Sequence, residues 1–213
     1  MKVARFTVNF FGENTYILWD DVTREAAIID PGMLKSKEFE TIDDYIAKNH
    51  LKLKYMLLTH LHLDHSFGVK YITDKYGLKP LCSEEENVLG ANIPQQVANF
   101  HLKVDAQPVI IENGLRDGDT LYVGDEAINV IQIAGHSPGG LVYYCPESSF
   151  VITGDVLFKG SIGRTDLYGG NLNSLLNGIK EKLFILPDET LVCPGHGDST
   201  TIGDEKYSNP YFK

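Results

Sequence analysis

Residues 57–68, LLTHLHLDHSFG, bring three histidines and one aspartate together directly after an apolar run. If the chain stays extended here, His60 and His62 point to the same side, because side chains alternate along a strand. The chain then turns into a helix near Asp64, and the change of period re-aims Asp64 and His65. This H-x-H-x-D-H spacing therefore predicts two adjacent metal sites rather than one.

Three later loops repeat this arrangement, each with one polar residue after an apolar run and next to glycine or proline. They present His136 in IQIAGHSPGG, Asp155 in VITGDVLF and His196 in VCPGHG. Loops at a sheet rim expose such side chains while the strands hold them in place. Five histidines and two aspartates suit two divalent ions, with Zn²⁺ expected first and Fe or Mn as alternatives. The other histidines, His50 and His101, are predicted to be ordinary structural or surface residues.

The elements that must position these residues alternate between strand and helix patterns. β-Branched and aromatic runs predict strands, and apolar residues at helical spacing predict helices. In the first third we predict three strands, a helix, a buried strand and a second helix ending at Gly77: KVARFTVNF, NTYILWD, EAAIID, residues 37–48, LKYMLLTH and SFGVKYITDKYG.

The rest of the chain continues the mixed pattern. We predict one or two short helices, five strands, an amphipathic helix, and a last strand with its loop: SEEENVLGANIPQQVANFHL, PVIIE, DTLYVG, EAINVIQIAG, GLVYYCP, SFVITGD, LNSLLNGIKEKLFILP and ETLVCPGHG. Two sheets packed face to face with helices outside are a stable layering for this pattern. No linker or charge block divides the chain, so residues 1–213 are predicted to form one domain.

Composition narrows the class of function. The 213 residues carry a formal net charge of −10, which disfavours nonspecific binding to nucleic acids and to anionic membrane surfaces. No apolar run is long enough to cross a membrane and the N-terminus lacks the pattern of a signal peptide, so we expect a cytoplasmic protein. Cys82, Cys145 and Cys193 are too few and scattered for a disulfide framework, and we predict small buried side chains in a reducing compartment.

The motifs THLHLDH, GHSPG, GD and PGHG, in this order, resemble the metal-binding motifs of the metallo-β-lactamase superfamily. The resemblance runs from the first strand to the C-terminus. It implies an α/β (α+β) fold, a four-layer αββα sandwich with the metals at one edge. It also implies one metal on His60, His62 and His136, a second on Asp64, His65 and His196, and Asp155 bridging both.

Two further stretches, LFKGSIGRTDLYGG and TTIGDEKYSNPYF, resemble the short, single-domain relatives of glyoxalase II. True β-lactamases have no bridging aspartate at the position of Asp155, so lactam hydrolysis is disfavoured. Full-length glyoxalase II adds a helical C-terminal domain, which this chain is expected to lack. The long enzymes carry a lysine and, two residues on, a tyrosine, whereas this chain has Arg164 and Asp166 there.

These resemblances imply a thioesterase that hydrolyses S-lactoylglutathione or a related hydroxyacyl thioester, a small-molecule substrate. A hydroxide between two divalent ions attacks the acyl carbon, and the thiolate leaves readily. Asp64 is expected to bind metal and to orient the nucleophile. Arg164 is a candidate contact for a substrate carboxylate, and the competing interpretation is an internal ion pair with Asp166.

Two other functions on the same fold stay open at this stage. Persulfide dioxygenases share a similar GRTD stretch but use one iron, for which His60, His136 and Asp155 would be the ligands. The PGHG and SIG motifs of this chain look more like those of the hydrolases. A lactonase or a phosphodiesterase is the other alternative, since fold alone does not specify function.

Overall fold

Five strands from the first half of the chain form one mixed sheet in the computed structural model, which describes residues 1–213. They lie side by side in chain order: β1 (Lys2–Val8), β2 (Glu13–Trp19), β3 (Glu25–Ile29), β4 (Lys52–Leu57) and β5 (Pro80–Leu81). β1 to β3 are antiparallel neighbours, whereas β4 joins β3 in parallel and β5 joins β4 in parallel. All of β2 is buried, which indicates that both faces of this sheet are covered.

The second half of the chain forms a six-stranded sheet and a small hairpin. In chain order the strands are β6 (Thr120–Val123), β7 (Glu126–Gln132), β8 (Leu141–Cys145), β9 (Phe150–Gly154), β10 (Leu157–Phe158), β11 (Ser161–Ile162), β12 (Leu191–Pro194) and β13 (Thr200–Thr201). β10 and β11 form the hairpin, and the large sheet has the order β13-β12-β9-β8-β7-β6. Neighbouring strands within this sheet are antiparallel, except for β9 and β12, which are parallel.

Seven short helices cover the sheets or lie in the loops: α1 (Ser36–Lys48), α2 (Leu63–Ser66), α3 (Val69–Tyr76), α4 (Asn87–Ala91), α5 (Ile93–Asn99), α6 (Leu172–Gly178) and α7 (Ile202–Ser208). Single turns of 3₁₀ helix occupy Glu84–Glu86 and Pro210–Phe212, and a wider π-type turn over Ile179–Leu183 follows α6. None of the helices combines the length and the apolar character that crossing a bilayer requires.

Strand alternation divides the buried residues between two cores. In β8, Tyr143 and Cys145 belong to a 34-residue cluster that fills the space between the sheets and also includes residues of α1, whereas Val142 belongs with residues of α6 to an 11-residue cluster on the outer side of the second sheet. On the first sheet, Trp19 stacks edge-on against Tyr45 of α1. The layers are therefore helix, sheet, sheet, helix, which confirms the predicted αββα sandwich. All three cysteines are buried and unpaired, as expected.

Most predicted elements are confirmed, including the helix over residues 37–48 and the helix end at Gly77, where φ is 70°. The strand predicted for PVIIE is wrong. The backbone N–H and C=O of Ile111 pair with the side chain of Asn87 at 2.7 and 3.0 Å, and Val109 donates to the carbonyl of Gly90 at 3.0 Å. The segment pairs with α4 instead of another strand.

Two helix predictions were too long. The segment SFGVKYITDKYG contains a break, because the N–H of Gly68 donates to the carbonyl of Pro31 at 2.7 Å and separates α2 from α3. The segment LNSLLNGIKEKLFILP is α-helical only to Gly178 and then widens into the π-type turn. The two-residue strands β5, β10, β11 and β13 and the helix α7 were not predicted.

Candidate metal centre

The predicted ligands meet where four strands end at one edge of the sandwich. The loop after β4 carries His60 to His65, and the loops after β7, β9 and β12 carry one ligand each. β7, β9 and β12 run in the same direction in their sheet, so their carboxyl ends share an edge. The structure brings together all seven residues that the sequence singled out: His60, His62, Asp64, His65, His136, Asp155 and His196.

Hydrogen bonds between the sheets hold the loops of this edge against each other. The hydroxyl of Tyr143 in the second sheet donates to the carbonyl of Leu58, next to the histidine loop, at 2.7 Å. The N–H of Asn14 in the first sheet donates to the carbonyl of Gly195, next to His196, at 2.8 Å. Hydrogen bonds to backbone carbonyls therefore help to fix the relative position of candidate ligands from different sheets.

The three-histidine group consists of His60, His62 and His136, all buried. Nε2 of His136 lies 2.9 Å from Nδ1 of His62 and 3.3 Å from Nε2 of His60. A tetrahedral ion with metal–nitrogen bonds of about 2.0–2.1 Å separates its ligand atoms by about 3.3 Å. The spacing and the donor type of this group therefore fit a divalent metal such as Zn²⁺.

The mixed group consists of Asp64, His65 and His196. Oδ2 of Asp64 lies 3.1 Å from Nε2 of His196 and 3.9 Å from Nε2 of His65. The side chain of His196 is 27% exposed, whereas that of His65 is fully buried. The mixed group is thus the more accessible of the two, and it marks the open side of the centre.

Asp155 lies between the two groups. Its Oδ1 is 3.4 Å from Nε2 of His65, and its Oδ2 is 3.6 Å from Nε2 of His136 and 3.7 Å from Nε2 of His196. Oδ1 of Asp155 and Nε2 of His65 are buried without a hydrogen-bond partner. Because buried polar atoms are normally paired, these atoms are the ones expected to bind metal.

Partners outside the ligand set orient two of the imidazoles. Nδ1 of His65 bonds to Oδ2 of Asp30 at 3.0 Å, and Nδ1 of His136 bonds to the carbonyl of Arg164 at 2.9 Å. Carboxylates and carbonyls only accept, so Nδ1 carries the proton and Nε2 is left for a metal. Thr59 in turn donates its N–H and its hydroxyl to Asp30, each at 2.7 Å.

The sequence reasoning missed Asp30, although the signal was present. EAAIID places this aspartate after an apolar strand and before Pro31-Gly32, the same pattern that identified Asp155. Glu13 was missed as well. It is fully buried with Oε1 3.9 Å from Nδ1 of His65, and burial raises its pKa well above the usual range.

Charge separates the two groups of histidines. Burial and the neighbouring imidazoles hold the pKa of His60 well below its usual range, and burial together with His136 lowers the pKa of His62 to about 3. In the mixed group, burial lowers the pKa of His65, but the carboxylates of Asp155, Asp64 and Asp30 outweigh it and the net pKa is well raised. The mixed group therefore attracts positive charge, which a metal ion would supply in place of protons.

The first glycine of PGHG, Gly195, is required because the chain passes very close to the site. A Cβ on Gly195 would lie 2.3 Å from Oδ1 of Asp155 and 2.7 Å from Cε1 of His65. Any side chain here would push these two ligand residues away. Gly195 thus lets the last loop place His196 beside them.

The remaining candidates lie outside the ligand clusters. The guanidinium of Arg164 forms two hydrogen bonds of 2.7 Å with the carboxylate of Asp166, and both side chains are more than half exposed. The internal ion pair that competed with substrate binding is therefore present. His50 and His101 are exposed turn residues with φ of 54° and 53°.

Comparison with known proteins identifies the family. The sequence-family model of the metallo-beta-lactamase superfamily matches residues 8–196, which include every residue of the two groups and Asp155. The chain belongs to the metallo-beta-lactamase superfamily. The resemblance seen in the four metal-binding motifs is thereby confirmed.

Individual superfamily members resemble this chain over its whole length. Hydroxyacylglutathione hydrolase GloC of Haemophilus influenzae is 36% identical over 215 residues, covering 100% of this chain and 98% of that protein. The solved structure of TTHA1623 in a di-iron-bound form is 31% identical, with a TM-score of 0.86 and coverage of 98% and 99%. The BLEG-1 B3 metallo-beta-lactamase is 30% identical, with a TM-score of 0.83 over both full chains. The chain is thus a metallo-hydrolase of this superfamily.

Proposed function

We propose that this metallo-hydrolase is a dinuclear thioesterase that acts on S-lactoylglutathione or a related hydroxyacyl thioester. The observation that carries the proposal is the position of Asp155, whose two oxygens face different groups of potential ligands. A carboxylate in this position offsets the repulsion between two dications. The similarity to GloC, a hydroxyacylglutathione hydrolase, supports the choice of substrate class.

We assign the proposed ligands to two ions according to the two groups seen in the structure. The three-histidine group would hold one ion, the mixed group would hold the other, and Asp155 would contribute to both. Divalent ions bound there would supply Lewis acidity, which lowers the pKa of water toward neutrality and polarises an acyl carbonyl. Zn²⁺ suits the donor set, while the di-iron form of TTHA1623 keeps iron as an alternative.

Asp64 is the proposed catalytic residue, because it lies on the accessible side of the centre. One of its oxygens, Oδ2, faces His196. Its other oxygen can accept a hydrogen bond from the attacking water and orient it. The leaving thiolate needs little help, because a thiol has a pKa near 8.5, far below that of an alcohol.

Arg164 remains a proposed contact for a substrate carboxylate. The carboxylate of Asp166 occupies the guanidinium of Arg164 in the structure, so the carboxylate of a substrate would have to displace it. Exposed ion pairs contribute at most about 1 kcal/mol. Arg164 would therefore adjust substrate affinity rather than determine it.

The decisive experiment is a substrate panel on metal-quantified protein. Thioesters, a lactone, a phosphodiester, a β-lactam and a persulfide are compared by kcat/KM, with oxygen uptake recorded for the persulfide. We expect two metals per chain and the highest kcat/KM on a hydroxyacyl thioester. One iron per chain with oxygen uptake would contradict the proposal, and so would a preference for the β-lactam or another non-thioester substrate.

A further inference from the structure

Glu86 is a fully buried carboxylate that does not belong to either group of ligands. It ends the 3₁₀ turn Glu84–Glu86, immediately before α4. Its Oε2 accepts the backbone N–H of Leu61 at 3.0 Å, and its Oε1 accepts the backbone N–H of Gly139 at 2.7 Å. Both oxygens are therefore engaged by the main chain.

The two N–H groups belong to the two loops that carry the three-histidine group. Leu61 lies between His60 and His62 in the loop after β4, and Gly139 is three residues after His136 in the loop between β7 and β8. These loops come from different sheets. A single carboxylate thus ties together the main chains on either side of the site.

A carboxyl group suits this arrangement, because both of its oxygens accept a hydrogen bond from the main chain. An amide of the same shape would keep one acceptor and turn its NH₂ toward a backbone N–H, so that one donor would be left unpaired.

We propose that Glu86 is a positioning residue that sets the separation of His60 and His62 from His136, and thereby the metal affinity of the three-histidine group. It acts through the main chain and contacts no substrate. The proposal rests on the metal centre described above and is independent of which substrate the enzyme hydrolyses.

The test compares Glu86→Gln with Glu85→Gln, a matched control because Glu85 is the exposed neighbour and its carboxylate accepts a hydrogen bond only from the side chain of Gln132, at 2.7 Å. Both are made in a His196→Ala background, which leaves the three-histidine group as the intact one. Affinity for Zn²⁺ is measured by competition with a chelator, and the absorption spectrum of the Co²⁺-loaded protein reports ligand geometry. Thermal unfolding of the metal-free proteins reports any purely structural effect.

We expect Glu86→Gln to weaken Zn²⁺ binding by about 10- to 100-fold, the range typical for residues that support metal ligands. The Co²⁺ spectrum should change, and Glu85→Gln should match the background. Unchanged affinity and spectrum would overturn the proposal. A lower Tm of the metal-free protein with an unchanged spectrum would overturn it too, since it would show a structural role alone.

If Glu86→Gln does not fold, Glu86→Asp serves instead. It keeps the charge but is one methylene shorter, so it cannot span both N–H groups. We expect weaker Zn²⁺ binding and a changed Co²⁺ spectrum here as well. Wild-type affinity in Glu86→Asp would refute the claim that the span between the loops matters.

Discussion

At the scale of single residues, the site depends on residues that contact two neighbours at once. Asp155 faces both groups, and the carbonyl of Arg164 orients His136 while its guanidinium pairs with Asp166. Such residues are sensitive to changes that preserve shape but alter charge. The first three predictions concern them and one ligand.

Asp155→Asn should fold, because asparagine has nearly the same shape, but it removes the negative charge between the proposed ions. We expect weaker binding of the second metal and a loss of thioester turnover of on the order of 10²-fold or more. Metal stoichiometry and S-lactoylglutathione hydrolysis of the purified variant measure both effects. Two tightly held metals with unchanged kinetics would rule out a bridging role.

His62→Ala should lower metal content and turnover, because it deletes one nitrogen of the three-histidine group. Replacing a residue that only supports a ligand typically lowers metal affinity or activity by about 10- to 100-fold. We therefore expect His62→Ala to lower turnover by more than about 100-fold. His101→Ala, at an exposed turn, is the control and should behave like the wild type. Full metal occupancy and normal turnover in His62→Ala would contradict the ligand assignment.

Arg164→Ala should raise KM for a thioester that bears a carboxylate by no more than about fivefold, the equivalent of about 1 kcal/mol. Asp166→Asn weakens the competing ion pair and should lower KM for the same substrate. Neither change should affect KM for an uncharged thioester. If each substrate has the same KM in both variants as in the wild type, Arg164 only stabilises its loop.

At the scale of elements, α1 and α3 are joined on the outer face of the first sheet by a cluster around Asp43. Its carboxylate accepts hydrogen bonds from the hydroxyl of Tyr71, from Lys75 and, at 2.7 Å, from the hydroxyl of Tyr76. Partial burial raises the pKa of Asp43, but these donors outweigh it and the net pKa lies below the usual range. α3 begins at Val69, four residues after His65, so this cluster lies close in sequence to the candidate metal centre.

Asp43→Asn should lower the free energy of unfolding by about 1–2 kcal/mol, since hydrogen bonds to a charged group are lost. A lowered folded-state pKa stabilises the protein above the unfolded-state pKa near 3.9, and this contribution disappears as the pH falls through the folded value. Urea unfolding between pH 7 and pH 3 should therefore show a difference in stability between wild type and variant that narrows as the pH falls below about 4. Asp74→Asn, which breaks an exposed pair with Lys70 on α3, should cost less than about 0.5 kcal/mol. Equal losses in both variants would contradict this role of Asp43.

At the scale of the whole molecule, the proposed metals connect the two sheets. The loop after β4 belongs to the first sheet, whereas the loops that carry His136, Asp155 and His196 belong to the second. Each ion would therefore be bound by residues from both sheets. Binding to the folded state alone stabilises that state by mass action.

Removal of metal should consequently lower the Tm. A site with free metal at 1,000 times its Kd contributes about 4 kcal/mol, which corresponds to a shift of roughly 8–16 °C for a domain of this size. Thermal unfolding with and without a chelator measures this shift in Tm. We expect a smaller shift for Asp155→Asn. The same Tm in both conditions would mean that metal does not link the sheets.

The candidate ligands and most of the core elements could be predicted from local sequence. The H-x-H spacing after an apolar run predicts that His60 and His62 lie on the same side of the chain, and an apolar run ending at glycine or proline marks the loops of His136, Asp155 and His196. These signals extend over a few residues, so they do not depend on the rest of the fold. The same signal at Asp30 was overlooked.

Tertiary structure alone decided which distant groups pair. PVIIE alternates like a strand, and Val109 and Ile111 are buried while Ile110 is half exposed, yet Asn87 takes the place of a neighbouring strand. Glu86 lies in a charged stretch that would suit a solvated surface, but the fold buries it between two loops. The direction of a side chain depends on the local backbone, whereas its partner depends on chain topology, which brings together residues such as Leu61 and Gly139 that are far apart in sequence.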